Sequence, residues 1–258
     1  MISIKSPAEI SAMREGGKIL ADILHELAIS AKIGMRTEEL NIKAEALIEK
    51  YGVLPSFKGY HGYPAVICVS VNEEVVHGIP GKRVLRDGDI VSIDGGVIHK
   101  GFHSDAAVAV MLGNVEPEVR TFVKTVAKSF EKALAVIRPG NKTGDIGFAV
   151  QHYIETNGYS VVRDFIGHGV GRNLHEDPPI PNWGQRGKGS LLVPGMTIAV
   201  EPIISMGKRF VEILRDGWTA VTKDGSPACQ VEHTIAITTN GCEVLTKYNK
   251  TINTIYSQ

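Results

Sequence analysis

Four apolar segments of this sequence, each typical of a buried β-strand, are interrupted by a single carboxylate. The four acids are Asp94, Asp105, Glu201 and Glu232. A bare carboxylate is costly to bury, so each acid needs a cation, a network of donors or water beside it. For one acid alone, an exposed edge-strand position or a structural ion pair explains the pattern equally well. Four together, with no Lys or Arg in the same strands to match them, favour a site that holds metal ions.

Two divalent cations would balance the four negative charges of these carboxylates. Oxygen ligands joined by one imidazole suit manganese, iron, cobalt or zinc, and three scattered cysteines offer no thiolate site. His168 is the best candidate for the imidazole because it lies between two glycines, although a structural histidine is the alternative. Two ions about 3.5–4 Å apart would polarise a carbonyl group and make hydroxide available from a shared water. The pattern therefore predicts hydrolysis of an amide or an ester.

Composition restricts the partners and the compartment of the chain. Lys and Arg number 28 and so do Asp and Glu, so net charge does not favour nucleic acid or an anionic membrane. The N-terminus has no apolar signal segment, and no run of about 18 apolar residues occurs. Unpaired cysteines fit a reducing compartment. We expect a cytoplasmic protein without nucleic-acid or membrane partners.

Helix signals open the first half of the sequence. Ser6, Pro7 and Glu9 form a capping box that predicts a helix over about residues 6–31. Thr37 is the predicted cap of a second helix, which should end near Gly52. Strands rich in β-branched and apolar residues are then predicted at 66–71, 89–98 and 102–111.

The second half repeats this order of helix, helix and sheet. Helices are predicted at about 116–137 and 143–157, followed by strands around Val161, Ile198, Val211 and Ile235. The proline- and glycine-rich stretch 176–188 is predicted to be a loop inside this half. We therefore expect one α+β domain over residues 1–258. Its two halves, about 1–114 and 115–250, would form a pseudo-repeat with the active site at their seam.

The ordered set of four acids and His168 resembles the metal-binding constellation of the methionine aminopeptidase and prolidase superfamily. Four segments are similar to type I methionine aminopeptidases in particular: GYHGYP at 59–64, NEEVVHGIP at 72–80, GHGVG at 167–171 and EHT at 232–234. The resemblance covers nearly the whole chain. It implies the creatinase/aminopeptidase ("pita-bread") fold, in which two pseudo-symmetric α+β halves surround a mostly antiparallel curved sheet.

The same resemblance implies a role for each site residue. Asp94 should chelate one metal ion, Asp105 and Glu232 should bridge both ions, and His168 with Glu201 should complete the other. Glu232 should also shuttle a proton. Two histidines that are not ligands, His77 and His175, should contact the substrate and stabilise the charge that develops on the tetrahedral intermediate.

The resemblance also implies a pocket for the methionine side chain. Its walls should come from Phe57, Tyr60, Tyr63, Cys68, Leu174 and Trp218. Some relatives carry Cys where Phe57 stands and an aromatic residue where Leu174 stands, so the shape of the pocket differs within the family. Without the resemblance, Phe57, Tyr60 and Trp218 could equally be ordinary core or surface aromatics.

The implied function is removal of the initiator methionine from nascent proteins whose second residue is small. The implied cofactors are two divalent ions of cobalt, manganese, iron or zinc, with a hydroxide shared between them. Nascent N-termini are the expected partner, the ribosome near its exit tunnel is a candidate partner, and a monomer is expected. A prolidase is the nearest alternative, but prolidases usually add an N-terminal domain for which this chain has no room. A binding protein that kept only the fold is disfavoured, because all five ligands and both histidines are present.

Overall fold

A computed structural model describes residues 2–248 of the chain. Its α-helices are α1 (Pro7–Ser30), α2 (Thr37–Tyr51), α3 (Pro117–Leu134) and α4 (Thr143–Thr156). A short 3-10 helix spans Tyr60–Gly62. The strands are β1 (Leu54–Pro55), β2 (Ile67–Val71), β3 (Glu74–Val76), β4 (Ile90–His99), β5 (Phe102–Met111), β6 (Ser160–Val161), β7 (Gly167–Gly169), β8 (Glu176–Ile180), β9 (Thr197–Val200), β10 (Ile203–Ser205), β11 (Val211–Ile213), β12 (Ala220–Thr222), β13 (Ala228–Gln230), β14 (Glu232–Ile237) and β15 (Cys242–Val244).

The first two helices begin and end at specific sequence signals. The Ser6 hydroxyl accepts from the Glu9 backbone N–H at 3.3 Å, and the Glu9 carboxylate accepts from the Ser6 N–H at 2.8 Å, which confirms the capping box. Gly52 ends α2 in the left-handed conformation, with φ of 64°. The predicted cap at Thr37 is wrong. Arg36 is the N-cap, and the Thr37 hydroxyl instead exchanges hydrogen bonds with the backbone of Gly81.

A nine-stranded sheet forms the centre of the described region. The strand order is β1-β4-β5-β14-β9-β7-β8, with β2 also beside β4 and β15 beside β14. Every strand pairing among residues 2–248 is antiparallel. Two three-stranded sheets, β13-β10-β6 and β11-β12-β3, complete the β-structure of these residues. The predicted loop at 176–188 is wrong for its first part, because β8 is an edge strand, where proline is tolerated.

Apolar side chains of the helices pack on the sheet in two main clusters. The first joins α1 and α2 to β2, β4 and β5 through residues such as Leu24, Leu40 and Val108. The second joins α3 and α4 to the strands of the second half through Phe122 and Ile146, among others. Burial of each such side chain contributes about 1.5–3 kcal/mol to folding. None of the helices in the described part of the chain has the length and apolar character of a membrane span.

Strand register places the acids of the first half on one face of the large sheet. Asp94 of β4 pairs with Ala107 of β5, and Asp105 lies two residues before Ala107. Side chains two residues apart in a strand share a face, so both aspartates project from the same side. The opposite side of β4 packs on α1, because Ile93 belongs to the cluster that includes Leu24.

The same register extends this face into the second half. Glu232 of β14 also pairs with Ala107, and Thr234, two residues later, pairs with Ala199 of β9. Ala199 in turn pairs with His168 of β7, and Glu201 follows Ala199 by two residues. Antiparallel pairing across five strands, β4, β5, β14, β9 and β7, therefore brings all five predicted ligands to one face.

Candidate metal centre and substrate pocket

The predicted site residues line a single cavity of about 200 Å³ above this face of the sheet. All thirteen residues predicted for the site border it: Phe57, Tyr60, Tyr63, Cys68, His77, Asp94, Asp105, His168, Leu174, His175, Glu201, Trp218 and Glu232. One further residue, His61, borders it as well. The same cavity is thus lined by acids, by histidines and by apolar side chains.

The four acids that border the cavity are all buried. Their residues are between 2% and 9% exposed. Among the described residues, Asp94 Oδ1, Asp105 Oδ1 and Glu232 Oε1 are buried and have no hydrogen-bond partner. The ion pairs of residues 2–248 join none of the four acids to Lys or Arg. An unpaired buried carboxylate is unfavourable, so these oxygens call for an external positive charge.

Burial shifts the pKa of every group in this cluster toward its neutral form. It raises the pKa of Asp94 to about 7, and together with the charge of Asp94 it raises the pKa of Glu201 to about 8. Burial and the neighbouring carboxylates raise the pKa values of Asp105 and Glu232 well above the ordinary range. Burial, aided by His175, lowers the pKa of His168 to about 3. Without metal, the carboxylates retain protons that a divalent cation would displace.

The donor set fits a divalent metal ion. One ligand atom from each of Asp105, His168 and Glu232 lies within 4.8 Å of the others. His168 Nε2 lies 3.7 Å from Asp105 Oδ2 and 3.9 Å from Glu201 Oε1. Carboxylates with one imidazole are ligands for manganese, iron, cobalt and zinc. The carboxylate oxygens without partners and this cluster together form a candidate metal centre.

The two histidines predicted to contact the substrate, His77 and His175, border the cavity together with His168. His77 follows β3 with φ of 59°, and its ring packs edge-on against Phe165 and Trp218. Burial, with a contribution from His175, lowers the pKa of His77 to about 4. The His175 ring lies 4.2 Å from that of His168, measured between centroids, and burial lowers its pKa as well. Both histidines are therefore neutral at physiological pH and can donate one N–H each.

The rest of the cavity is an apolar pocket. Phe57, Tyr63, Cys68 and Leu174 are all buried and pack together, with Trp218 and Tyr60 partly buried beside them. The Tyr63 hydroxyl donates to backbone carbonyls, and its ring meets Trp218 edge-on at 5.1 Å between centroids. Aromatic edges around a narrow apolar space suit a thioether side chain.

Phe57 stands where some relatives carry Cys, and it packs directly on the strand that carries Asp94. A Cβ atom at Gly96 would lie 2.9 Å from the Phe57 ring and 2.8 Å from Ser56 Cβ. The absence of a side chain at Gly96 thus allows Phe57 to form the wall of the pocket.

Sequence reasoning assigned no function to two residues that contact the site. His61 lies in the 3-10 helix with φ of 47° and borders the cavity. Gln230 Nε2 lies 3.2 Å from Glu232 Oε2 and 3.4 Å from Glu201 Oε2. Gln230 precedes Glu232 by two residues, so strand alternation was a signal that could have found it. His61 is part of the GYHGYP segment, but its local pattern alone does not separate it from a surface histidine.

Comparison with known proteins agrees with this geometry. The model of metallopeptidase family M24 matches residues 11–239. Methionine aminopeptidase 1 of Bacillus subtilis is 48% identical over 247 residues, which cover 96% of this chain and all of that protein. The Escherichia coli K12 methionine aminopeptidase is 40% identical, covering 95% of this chain and 94% of its own length.

Solved structures show the same relationship. The methionine aminopeptidase of Thermotoga maritima superposes with a TM-score of 0.94 at 46% identity, covering 96% of this chain and all of that one. A prolidase of Pyrococcus horikoshii has a TM-score of 0.77 at 23% identity, with 96% of this chain covered and 65% of the prolidase, and it shares the fold alone. These likenesses confirm the predicted pita-bread fold. The chain belongs to metallopeptidase family M24, among its methionine aminopeptidases.

Proposed function

We propose that this enzyme removes the N-terminal methionine from nascent polypeptides whose second residue is small. The observation that carries the proposal is the cavity itself, in which the candidate metal centre adjoins an apolar pocket. A scissile peptide bond at the centre would leave room for one side chain in the pocket. A large second residue would crowd the metal centre.

Two divalent ions are proposed because four carboxylates supply four negative charges. Asp94 would hold one ion, Asp105 and Glu232 would be shared between both, and His168 with Glu201 would complete the other. When bound, the ions supply Lewis acidity that polarises the scissile carbonyl and eases the deprotonation of water. Cobalt, manganese, iron and zinc all suit this donor set.

Glu232 is the proposed carrier of the proton. Its carboxylate is 2% exposed, and its raised pKa suits a group that accepts a proton from water and returns it to the leaving amine. Gln230 donates to the same carboxylate and so limits its rotation. His77 and His175 are proposed to donate N–H groups to the carbonyl oxygen as negative charge develops there. Preorganised donors of this kind lower a barrier by a few kcal/mol.

The apolar pocket is proposed to bind the methionine side chain. Phe57, Tyr63, Cys68 and Leu174 form its buried walls, and Tyr60 and Trp218 lie at its edge. Trp218 is held in place because Asp216 accepts hydrogen bonds from the backbone N–H groups of Trp218 and Thr219. A rigid aromatic edge favours the long thioether chain over shorter side chains.

We further propose that the chain is one catalytic domain whose seam carries the site. Asp94 and Asp105 come from the half at about residues 1–114, and the other three ligands come from the half at 115–250. The chain would act as a monomer in the cytoplasm, on N-termini that emerge from the ribosome. Support for this setting comes from the relatives of the chain, which include bacterial methionine aminopeptidases.

The test is a peptidase assay on protein reconstituted separately with each of the four metals. Met-Ala-Ser, Met-Leu-Ser and a proline-containing dipeptide serve as substrates, with a chelator control. Asp105→Ala removes a proposed ligand, and Glu212→Ala, an exposed acid of β11, is the matched control. We expect chelator-sensitive release of methionine from Met-Ala-Ser, lost only in Asp105→Ala. Cleavage of the proline substrate instead would assign a prolidase, and no cleavage with any metal would contradict the proposal.

A further inference from the structure

The rim of the cavity contains a hydrogen bond between two residues that are 115 positions apart in the chain. The hydroxyl oxygen of Tyr60 lies 2.8 Å from Nδ1 of His175, and the two rings meet edge-on at 5.1 Å between centroids. We propose that Tyr60 is a positioning residue whose hydroxyl donates to Nδ1 of His175 and thereby fixes the tautomer that presents Nε2–H to the substrate. The proposal rests on the role of His175 described above.

The direction of this hydrogen bond follows from the chemistry of the two groups. A neutral imidazole has one nitrogen that donates and one that accepts. A phenol is the more acidic donor of the pair, and the unprotonated imidazole nitrogen is the more basic acceptor, so donation from oxygen to nitrogen is favoured. Burial raises the pKa of Tyr60, so its hydroxyl keeps the proton that it donates. Among residues 2–248, the Tyr60 hydroxyl makes this hydrogen bond only.

The other nitrogen of His175 is left to act on the substrate. Its ring stands edge-on to that of His168, at 85°, and it borders the cavity. Within the described part of the chain, no residue forms a hydrogen bond with Nε2 of His175. If Nδ1 accepts from Tyr60, Nε2 must carry the ring proton. The single N–H of this imidazole is then the group that can meet a developing negative charge.

Tyr60 is held in position by the turn to which it belongs. Its N–H donates to the Phe57 carbonyl at 2.9 Å, and its carbonyl accepts from the Tyr63 N–H at 2.9 Å. The Gly59 N–H donates to the Tyr63 carbonyl at 2.8 Å, which closes the turn. The hydroxyl therefore has a fixed origin and can define the orientation of the ring that it meets.

His175 is fixed from its other side by a buried ion pair. Glu176, the next residue, has a carboxylate 2.6 Å from the Lys5 ammonium group and 3.1 Å from the Asn173 N–H. The backbone that carries His175 is thereby anchored to the N-terminal segment. What this anchor leaves open is rotation of the imidazole ring and the location of its proton, and the Tyr60 hydroxyl determines both.

Nitrogen NMR of histidine-labelled protein tests the hydrogen bond directly. Two-bond proton–nitrogen correlations identify which ring nitrogen is protonated, and the His175 signals are those that vanish in His175→Gln. We expect the proton on Nε2 in the metal-free protein and in the zinc-loaded protein. In Tyr60→Phe, the Nδ1 resonance should shift and the second tautomer should appear. Tyr63→Phe is the matched control for this spectrum, because the Tyr63 hydroxyl donates to backbone carbonyls.

Kinetics test whether the hydrogen bond matters to the reaction. Tyr60→Phe keeps the aromatic wall, so the KM for Met-Ala-Ser should change by less than about twofold. We expect kcat to fall about tenfold, the lower end of the loss found when the hydrogen-bond partner of a metal-ligating histidine is removed. Tyr51→Phe, outside the cavity, should leave both constants unchanged. A His175 proton on Nδ1, or a Tyr60→Phe variant with unaltered His175 signals and kcat, would overturn the proposal. An inactive wild-type enzyme would instead refute the proposed function, and the spectrum would still decide the tautomer.

Discussion

The metal-binding cavity and the Lys5–Glu176 pair both bury carboxylates, but their surroundings differ in whether the chain supplies a cation. Glu176 is paired with Lys5 at 2.6 Å, and their side chains are 10% and 3% exposed. The four acids of the metal centre are buried to a similar degree, yet no Lys or Arg of residues 2–248 pairs with any of them. Lys5 neutralises Glu176, and this ion pair holds the backbone around Glu176 in place. At the candidate metal centre the described residues leave the acids without a countercharge, and metal-free folding is less favourable as a result.

The strongest test of this contrast is the same isosteric change made at both places. Glu232→Gln should lower kcat/KM by about 10³-fold or more, because the loss of a metal ligand removes several kcal/mol of transition-state stabilisation. In the metal-free protein the same change removes the cost of keeping a buried carboxyl group protonated, and it should raise the melting temperature by about 2–4 °C. Scanning calorimetry and a Met-Ala-Ser assay measure the two effects. A metal-free Glu232→Gln protein that melts below wild type would contradict the contrast.

Breaking the Lys5–Glu176 pair should have the opposite effect on stability. Glu176→Gln leaves a buried ammonium group without its partner and should cost about 3 kcal/mol of unfolding free energy in urea titrations. Lys5→Met should cost a similar amount. In the double variant Lys5→Met with Glu176→Met, no charge is left buried, and most of the loss should be recovered. If both single variants unfold at the wild-type urea concentration, the pair has no structural role.

The smallest expected effect is a pH dependence of the metal-free protein. The pKa values of Asp94 and Glu201 rise on folding to about 7 and about 8, so the folded state binds more protons than the unfolded state. Stability is then greatest at low pH with respect to these groups and falls as pH rises through those values. One proton of difference corresponds to about 1.4 kcal/mol per pH unit.

Between pH 7 and pH 8, the effect of the carboxylates on stability can be measured without a contribution from the buried histidines. Histidines of the unfolded chain are mostly neutral above pH 7, so the pKa values of His77 and His168, lowered on folding, affect stability only at lower pH. Urea titrations of the metal-free protein should show the loss within this interval, and saturating zinc should abolish it. Constant or rising stability between pH 7 and pH 8 without metal would show that the acids are not protonated in the folded state.

Local signals were sufficient to predict much of the fold. The capping box at Ser6 and the strand Phe102–Met111 match their predictions, because a cap and a run of mostly apolar residues act within a few positions. Errors arose where a distant segment decides the outcome. The Thr37 hydroxyl bonds to Gly81 instead of capping a helix, and residues 176–180 become a strand because β7 lies beside them. Proline content alone could not reveal that neighbour.

The same distinction applies to the site, where the metal ligands could be predicted from local sequence and the pocket walls could not. An acid in an apolar strand can be recognised from sequence alone, because a carboxylate is costly to bury whatever residue lies beside it. The structure brings Asp94, Asp105, Glu201 and Glu232 together. The pocket walls carry no such signal, since an aromatic residue is equally at home in any core. Only the family likeness pointed to Tyr60 and the other walls, and the contact between Tyr60 and His175 depends on chain segments that no local pattern connects.

The pairing of β5 with β14 also determines when, during synthesis of the chain, the site residues can come together. Asp94 and Asp105 belong to one hairpin with a two-residue turn, so they can meet as soon as that hairpin has been synthesised. The hydrogen bonds between Asp105 and Thr234 span 129 residues. At ordinary rates of synthesis, that stretch takes on the order of 10 s to emerge. For this interval the growing chain carries only two of the five proposed metal ligands, and the other three can join them only when β14 pairs with β5.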